Sequence, residues 1–241
     1  GSYQDAYEQL QSAAALAKEK KHTAEFVLAS LALSELRIEK YEVGFAEVSV
    51  KEALRRDPQN PDGKALLAHI TLEQGNDVAA ASELIEEALQ TQPGRPRALH
   101  IRAEMLIDNE QYEDALAVLD PQLAKNGYDL PARALRAAAL LLLGRNKDYE
   151  SEKTETLARS PLFSQFHRII ADRLQVQHRY EEQVTVLEEA VQKNPKDFYA
   201  VGDLGRAYLQ LGDEDRSYQT LQKAWKGDRY NRRNFNLLEL F

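Results

Sequence analysis

Small residues recur along the chain at a nearly constant interval, within segments whose apolar positions follow the spacing of amphipathic helices. Successive members of this series are 34 or 35 residues apart: Ser34, Ala68, Ala103, Ala137, Ala171 and Gly205. A helix-breaking or loop residue follows each after 24 or 25 residues, at Pro58, Pro93, Gly127, Pro161, Pro195 and Arg229. A polar or glycine-containing turn, such as Leu143-Gly144-Arg145, divides each interval in two. The pattern therefore predicts about six repeats of two helices each.

The same pattern sets the predicted organisation of the chain. We place the six repeats at residues 27–60, 61–95, 96–129, 130–163, 164–197 and 198–231. Residues 3–22 form an additional amphipathic helix that resembles the second half of an earlier repeat, and residues 232–241 begin a truncated helix. Gly1-Ser2 looks like a cloning scar, so we expect the native N-terminus to be missing.

Three repeats depart from the common pattern. In the first, the second helix is predicted to run from Tyr41 to Arg56, about two residues longer than its equivalents. In the third, Pro121 lies within the second helix, where proline is expected to kink it or interrupt its hydrogen bonds. The fourth has an unusually polar second helix, Asn146–Arg159, with Tyr149 and Thr156 where other repeats carry alanine. We expect looser packing there.

The last two repeats and the third carry the most specific residues. The sixth has Leu204-Gly205, Tyr208, Leu221 and Ala224; the fifth has Ile170-Ala171, Leu174, Tyr180, Leu187, Ala190 and Pro195; the third has Tyr112-Glu113-Asp114-Ala115. Their spacing resembles the tetratricopeptide-repeat pattern over about residues 27–231. The resemblance implies an all-α fold, a right-handed α-solenoid of antiparallel helix pairs that bury one continuous core.

Composition and charge narrow the possible partners. Only 11 Gly and 8 Pro interrupt a chain rich in helix-forming residues, which agrees with an all-helical fold. The net charge of -8 disfavours nucleic acid and anionic lipid as partners of the whole molecule. No apolar run is long enough to cross a bilayer, so we expect a soluble fragment. Without cysteine the redox compartment stays open, and both cytoplasm and periplasm are possible.

The sequence shows no pattern of catalytic residues. Its five histidines, His22, His69, His100, His167 and His178, do not occur at metal-ligand spacings. Phosphate-binding glycine loops and nucleophile motifs are also missing. We therefore predict a chain that is not an enzyme and needs no cofactor or metal.

The resemblance also implies where a partner would bind. First helices of tetratricopeptide repeats line a concave groove, and the matching positions predict a protein or peptide site. The predicted partner-binding residues are His69, Arg97, His100, Glu104, Ala138, Leu142, Arg168, Asp172, Tyr199, Asp203 and Arg206. Leu28, Leu31, Glu35 and Asp62 belong to the same stripe. The positions that clamp a chaperone's C-terminal carboxylate in one subfamily carry other residues here, so that ligand is not expected.

Each of these features has a plainer explanation. Leu140–Leu143 is more simply a helix segment buried on all sides. Arg168, Asp172, Asp203 and Arg206 equally fit a solvated ion-pair network. The basic and aromatic residues from Trp225 to Phe235 fit packing and solvation better than nucleic-acid binding.

Three functions remain after this reading. The first is a non-catalytic interaction scaffold, expected in a bacterium, that binds a peptide or partner protein in its groove. The second is a self-assembling structural module whose apolar ends stack into homo-oligomers. The third is an accessory array of a larger protein, because residues Trp225–Phe241 resemble repeats that precede a metallopeptidase domain in some bacterial proteins.

Overall fold

The computed structural model describes residues 3–75 and 77–241, and the predicted scar Gly1-Ser2 lies outside them. In this part of the chain all regular structure is α-helical. The helices are α1 Tyr3–Glu19, α2 Thr23–Glu39, α3 Val43–Arg56, α4 Pro61–Gly75, α5 Val78–Thr91, α6 Pro96–Asp108, α7 Tyr112–Lys125, α8 Leu130–Leu142, α9 Asn146–Arg159, α10 Gln165–Val176, α11 Tyr180–Lys193, α12 Phe198–Gln210, α13 Glu214–Gly227 and α14 Arg232–Leu238. The predicted all-α fold of paired helices is thus confirmed.

The chain forms two compact units, and the boundary between Ile101 and Arg102 lies inside α6. We call them the N-terminal unit, up to Ile101, and the C-terminal unit, from Arg102. In the N-terminal unit each helix from α1 to α5 packs on the next. In the C-terminal unit α8 packs on α7, α9 and α10, and consecutive helices from α10 to α14 pack on one another. Contacts are therefore mainly between sequence neighbours, as in repeat arrays.

The recurring small residues lie where paired helices approach each other. All six are buried. The Ser34 hydroxyl donates a hydrogen bond to the Ala46 carbonyl, 2.9 Å away, which links α2 to α3. A Cβ atom at Gly205 would lie only 2.7 Å from Cγ of Leu221 on α13. These contacts explain why the repeat keeps a small residue at this position.

Left-handed residues end the first helix of several repeats. Gly144 and Gly212 have φ values of +73° and +78°. In each turn two backbone N–H groups donate hydrogen bonds to carbonyl groups of the last helical turn. One example is the N–H of Arg145, which bonds to the Leu140 carbonyl at 2.9 Å. This arrangement satisfies carbonyl groups at the helix end and reverses the chain.

Two expectations concerned second helices, and the one for the first repeat was wrong. Tyr41 has a φ of +59° and belongs to the turn, so α3 begins at Val43 and is no longer than the other second helices. In the third repeat α7 continues through Pro121, although the proline nitrogen has no hydrogen to donate to the helix. The ring of Pro121 lies on the exposed side of the helix, so the missing N–H is tolerated there.

Candidate functional site

In the N-terminal unit, the predicted binding residues do not form one cluster. Arg97 pairs with the Glu35 carboxylate, and its Nε lies 3.9 Å from Asp62. Asp62 also pairs with Arg95, through two hydrogen bonds. His69 and His100 are half-buried on α4 and α6. The tertiary structure therefore joins Arg97 to two acidic members of the predicted stripe.

In the C-terminal unit, five predicted residues and one unpredicted residue form a continuous polar surface. We call it the first-helix face: Arg168, Asp172, Tyr199, Asp203, Arg206 and Arg233. These side chains come from α10, α12 and α14, which carry them at intervals of about one repeat. Regular stacking of the helices brings residues far apart in sequence onto one surface.

Asp203 is the centre of the first-helix face. Its side chain is 6% exposed and accepts a 2.8 Å hydrogen bond from Arg168 Nε. Arg233 contacts it at 3.4 Å, and an Arg206 nitrogen lies 3.6 Å away. Three guanidinium groups around one buried carboxylate compensate its loss of hydration. The shared carboxylate in turn holds the three arginine side chains in place.

Asp172 lies beside this cluster and accepts a 3.3 Å hydrogen bond from Arg206. Burial, and next the Asp203 carboxylate, raise the pKa of Asp172, while Arg173 and Arg168 oppose the rise. Its side chain is nevertheless 39% exposed. Asp172 is therefore crowded by neighbouring groups while part of its side chain stays accessible.

Asp108 and Arg173 extend the charged surface and were missing from the predicted set. Their side chains form an ion pair at 2.7 Å between α6 and α10. Burial raises the pKa of Asp108 to about 6; Arg173 opposes this rise, and the Glu104 and Asp172 carboxylates add to it. Glu104, a predicted residue, therefore belongs to the acidic surroundings of this pair.

Two predicted apolar residues differ in accessibility. Ala138 is 1% exposed and lies in the core, so it offers no surface to a partner in this conformation. Leu142 is half-buried at the end of α8. Leu140 is fully buried, which agrees with the plainer explanation for that position, but Leu141 to Leu143 keep part of their surface.

A weak sequence signal existed for the residues that were missed. Arg233 lies 34 residues after Tyr199, so it occupies the next equivalent position of the predicted stripe. Asp108 follows Glu104 by four residues, which places both on one helix face. No sequence signal predicts that Asp108 meets Arg173, because that contact depends on the packing of α10.

A second charged cluster joins α8 to α9. Glu152 is buried and accepts hydrogen bonds from Arg133 at 2.5 Å and from Arg136 at 2.7 Å. Arg133 also reaches Glu155 at 2.9 Å, and Arg136 reaches Asp120 at 2.7 Å. These pairs hold the polar helix α9 against its neighbour.

The described residues contain no group of three or more His, Asp or Glu side chains arranged for metal binding. Among the helices that the structure describes, none combines the length and apolar character needed to cross a membrane.

Comparisons with known proteins agree with this architecture. A family model described as the N-terminal TPR repeats region of Psidin matches residues 104–235, and a tetratricopeptide-repeat model matches residues 31–96. A search of curated protein sequences found no match.

Several solved structures share the fold. A tetratricopeptide repeat protein from Parabacteroides merdae is 17% identical, with a TM-score of 0.59 and 98% coverage of both chains. A thermophilic TPR protein from Thermus thermophilus is 21% identical, with a TM-score of 0.60 over 76% of this chain and 99% of that one. Yeast Tom70 is 14% identical, with a TM-score of 0.62 over 97% of this chain and 59% of Tom70.

Proteins with this fold are generally non-catalytic scaffolds for protein–protein interaction. The matched residues of the first family model cover more than half of the sequence, and the helix pairs have the predicted repeat spacing. The chain therefore belongs to the tetratricopeptide-repeat family.

Proposed function

We propose that the chain is a non-catalytic interaction module that binds a peptide or partner protein on the first-helix face of its C-terminal unit. The observation that carries this proposal is the set of arginines fixed around the buried Asp203 carboxylate. Fixed donors bind a partner without losing much side-chain entropy. Arg168 is 20% exposed and Arg233 27% exposed, so both present part of their surface.

The surroundings favour an extended polypeptide over a small ligand. Tyr199 lies under Arg168, with the guanidinium 5.1 Å from the ring centre, and adds a flat apolar contact. Acidic groups at Asp172 and Asp108 lie on the α10 side, whereas Arg233 lies on the α14 side. A segment with charges of both signs would complement this distribution.

The test is a pull-down with Arg168→Glu/Arg206→Glu, with captured proteins identified by mass spectrometry. We expect specific loss of one partner, because two of the three positive charges that face Asp203 are reversed. Circular dichroism and thermal melting must first show unchanged helicity. The milder Arg168→Gln/Arg206→Gln variant avoids introducing negative charge beside Asp203 and should lose the same partner.

The matched control is Arg145→Glu/Arg216→Glu, which changes the charge equally. Both control residues are exposed: Arg145 precedes α9 and Arg216 lies in the first turn of α13, and neither belongs to the first-helix face. Purified partner should bind the control as tightly as the wild type. If all variants retain the same partners with the same affinity, the proposed binding face is wrong.

Self-association is a second candidate function. Tyr218 and Phe241 lie with ring centres 5.5 Å apart, yet both stay partly exposed, as do Phe235 and Leu240. Exposed apolar side chains of this kind promote contacts between molecules. Light scattering over a concentration series distinguishes the two candidate functions. A molecular mass that stays constant supports a monomer that binds a partner on the first-helix face, and a mass that increases with concentration supports self-association.

A further inference from the structure

The loops that join successive repeats in the C-terminal unit share one backbone geometry. We call this set the loop edge: residues 126–129, 160–163, 194–197 and 228–231. In each loop the N–H of the fourth residue donates a hydrogen bond to the carbonyl of the first, with nitrogen–oxygen distances from 3.0 to 3.4 Å. In three of them the side chain of the first residue also accepts a bond from the N–H of the third. These bonds fix the third residue of each loop at the surface.

The third residue is large and apolar in three of the four loops. Tyr128 is 75% exposed, Leu162 is 73% exposed and Tyr230 is 48% exposed. The remaining loop has Lys196 at this position. The corresponding residues of the N-terminal unit are Gln59 and Gly94, in loops closed by the same backbone bond. The turn therefore does not require an apolar side chain. The exposed apolar side chains at Tyr128, Leu162 and Tyr230 thus need an explanation other than the geometry of the turn.

One contact shows that neighbouring loops lie side by side. The Arg159 guanidinium, at the end of α9, is 4.9 Å from the centre of the Tyr128 ring. Arg159 lies three residues before Leu162 in the next loop. The exposed Tyr128 ring of one loop therefore contacts a cation that directly precedes the next loop, the one that carries the exposed Leu162.

The loop edge is basic although the whole chain has a net charge of -8. Together with the last helical turn before each loop and Arg232, it contains seven Lys or Arg and three Asp. The three aspartates accept hydrogen bonds from backbone N–H groups: Asp129 from Ala132, Asp197 from Tyr199 and Ala200, and Asp228 from Tyr230. Their charge is thus partly compensated at the backbone.

Helix ends explain only some of these cations. Lys125, Arg159, Lys193 and Lys226 lie in last turns, where positive charge stabilises the helix dipole. Arg159 and Lys193 also pair with a glutamate one turn earlier. Lys196 and Arg229 lie beyond the helix ends, and both are exposed. Arg229 stacks over Trp225, 5.2 Å from the ring centre, and keeps its charge at the surface.

We propose that the loop edge is a second docking surface, for an acidic segment of another protein that carries bulky apolar side chains. The apolar third residues would contact the partner's apolar side chains, and the surrounding cations would pair with its carboxylates. The net charge of -8 opposes an anionic bilayer and an acidic polypeptide alike, so the choice of an acidic polypeptide rests on the local arrangement of cations beside exposed apolar side chains. This surface is independent of the first-helix face.

Fluorescence anisotropy of a labelled probe peptide tests the proposal. The probe is a short fluorescein-labelled peptide of repeated Glu-Leu-Asp-Phe, and its counterpart has Lys in place of both acids. The wild type should bind the acidic probe and not the basic one, more weakly as salt increases. Tyr128→Ser/Leu162→Ser and Lys193→Glu/Lys196→Glu should each reduce the affinity about tenfold.

Matched controls keep the test specific. Val176→Ser/Leu211→Ser removes two exposed apolar side chains, and Lys147→Glu/Arg216→Glu reverses two exposed charges, all outside the loop edge. Both should bind like the wild type. The first-helix-face variant Arg168→Glu/Arg206→Glu should also bind the probe normally. Loss of partner binding at the first-helix face and loss of probe binding at the loop edge are thus measured separately, so a failure of the proposed function is distinguished from a failure of this inference.

Two outcomes would overturn the inference. One is equal binding of the probe by the loop variants and the wild type. The other is cosedimentation with vesicles of phosphatidylcholine and phosphatidylserine that depends on Tyr128 and Leu162, without binding of the acidic probe. The surface would then contact a membrane.

Discussion

Three aspartates of the C-terminal unit differ in environment although each lies beside an arginine. Asp203 is buried and compensated by three guanidinium groups. Asp172 contacts Arg206 but also feels the charge of Asp203. Asp108 has Arg173 as its close cation and two further carboxylates nearby. At Asp172 and Asp108, desolvation outweighs the paired cations and raises the pKa, so the presence of a salt bridge alone does not decide protonation there.

Asp108→Asn should become more stabilising, or less destabilising, relative to the wild type as the pH rises from 4 to 7. The folded pKa of Asp108, about 6, exceeds its ordinary value of 3.8, so ionisation weakens the folded state as the pH rises through this range. Because 35% of the side chain is exposed, we expect a change of only about 1 kcal/mol in the difference between variant and wild type. Urea unfolding at each pH measures it.

Titrating groups far from Asp108 cancel in this comparison. Burial lowers the pKa of His167, which favours the folded state towards higher pH and masks the effect in the wild type alone. Asp215→Asn, at an exposed position on α13, is the control and should show no comparable trend. The prediction concerns the difference in the free energy of unfolding between Asp108→Asn and the wild type. It would be contradicted if this difference stayed constant with pH or changed in the opposite direction.

At the scale of elements, α9 shows that a polar sequence can form a well-held helix. Its composition suggested loose packing, yet Tyr149 and Thr156 are buried. Glu152 is buried as well, between Arg133 and Arg136 of α8. Here charged hydrogen bonds hold the second helix against the first, whereas in the other repeats contacts made by alanine do so.

Glu152→Gln should destabilise the protein by about 3 kcal/mol, because it leaves two arginines without a buried anionic partner. Chemical denaturation followed by circular dichroism measures this change. The control Glu182→Gln breaks the exposed pair with Arg179 and should cost less than about 1 kcal/mol. The apolar replacement Arg133→Met/Glu152→Leu should recover part of the loss. Equal effects of the two Glu→Gln variants would show that the network contributes little.

At the scale of the whole molecule, contacts within each unit are mainly between helices that are close in sequence. In such arrays the stability of each repeat depends on itself and its neighbours. A local defect should therefore weaken nearby helices more than distant ones. Gly205, in contact with α13, provides a suitable place for such a defect.

Gly205→Val should destabilise the protein by about 1–3 kcal/mol, because the added carbons would overlap Leu221. Hydrogen exchange should increase most in α12 and α13 and least in α2 to α5. Gly94→Val is the control, since a Cβ there meets no atom within 4 Å. Equal acceleration of exchange in both units would show that the chain unfolds as one cooperative block.

The sequence by itself determined the fold class and the arrangement of the helices in pairs joined by short turns. It could do so because the repeat returns the same small residues, apolar positions and turn residues about every 34 positions, and each constrains local geometry. The Tyr41 turn was missed because a tyrosine rarely adopts the left-handed conformation that ends a helix. Repeat spacing was also sufficient to place Arg168, Asp203 and Arg206 on one face.

Only the tertiary structure decided which polar groups meet and which surfaces remain accessible. Ala138 occupies a groove position in sequence but is buried, because α8 packs on α7, α9 and α10. The Asp108–Arg173 pair joins residues 65 apart, a contact that no local pattern encodes. The exposure of Tyr128 and Leu162 likewise depends on how each loop meets the surface. Local propensities specify helices and turns, whereas pairing and burial depend on the packing of distant segments.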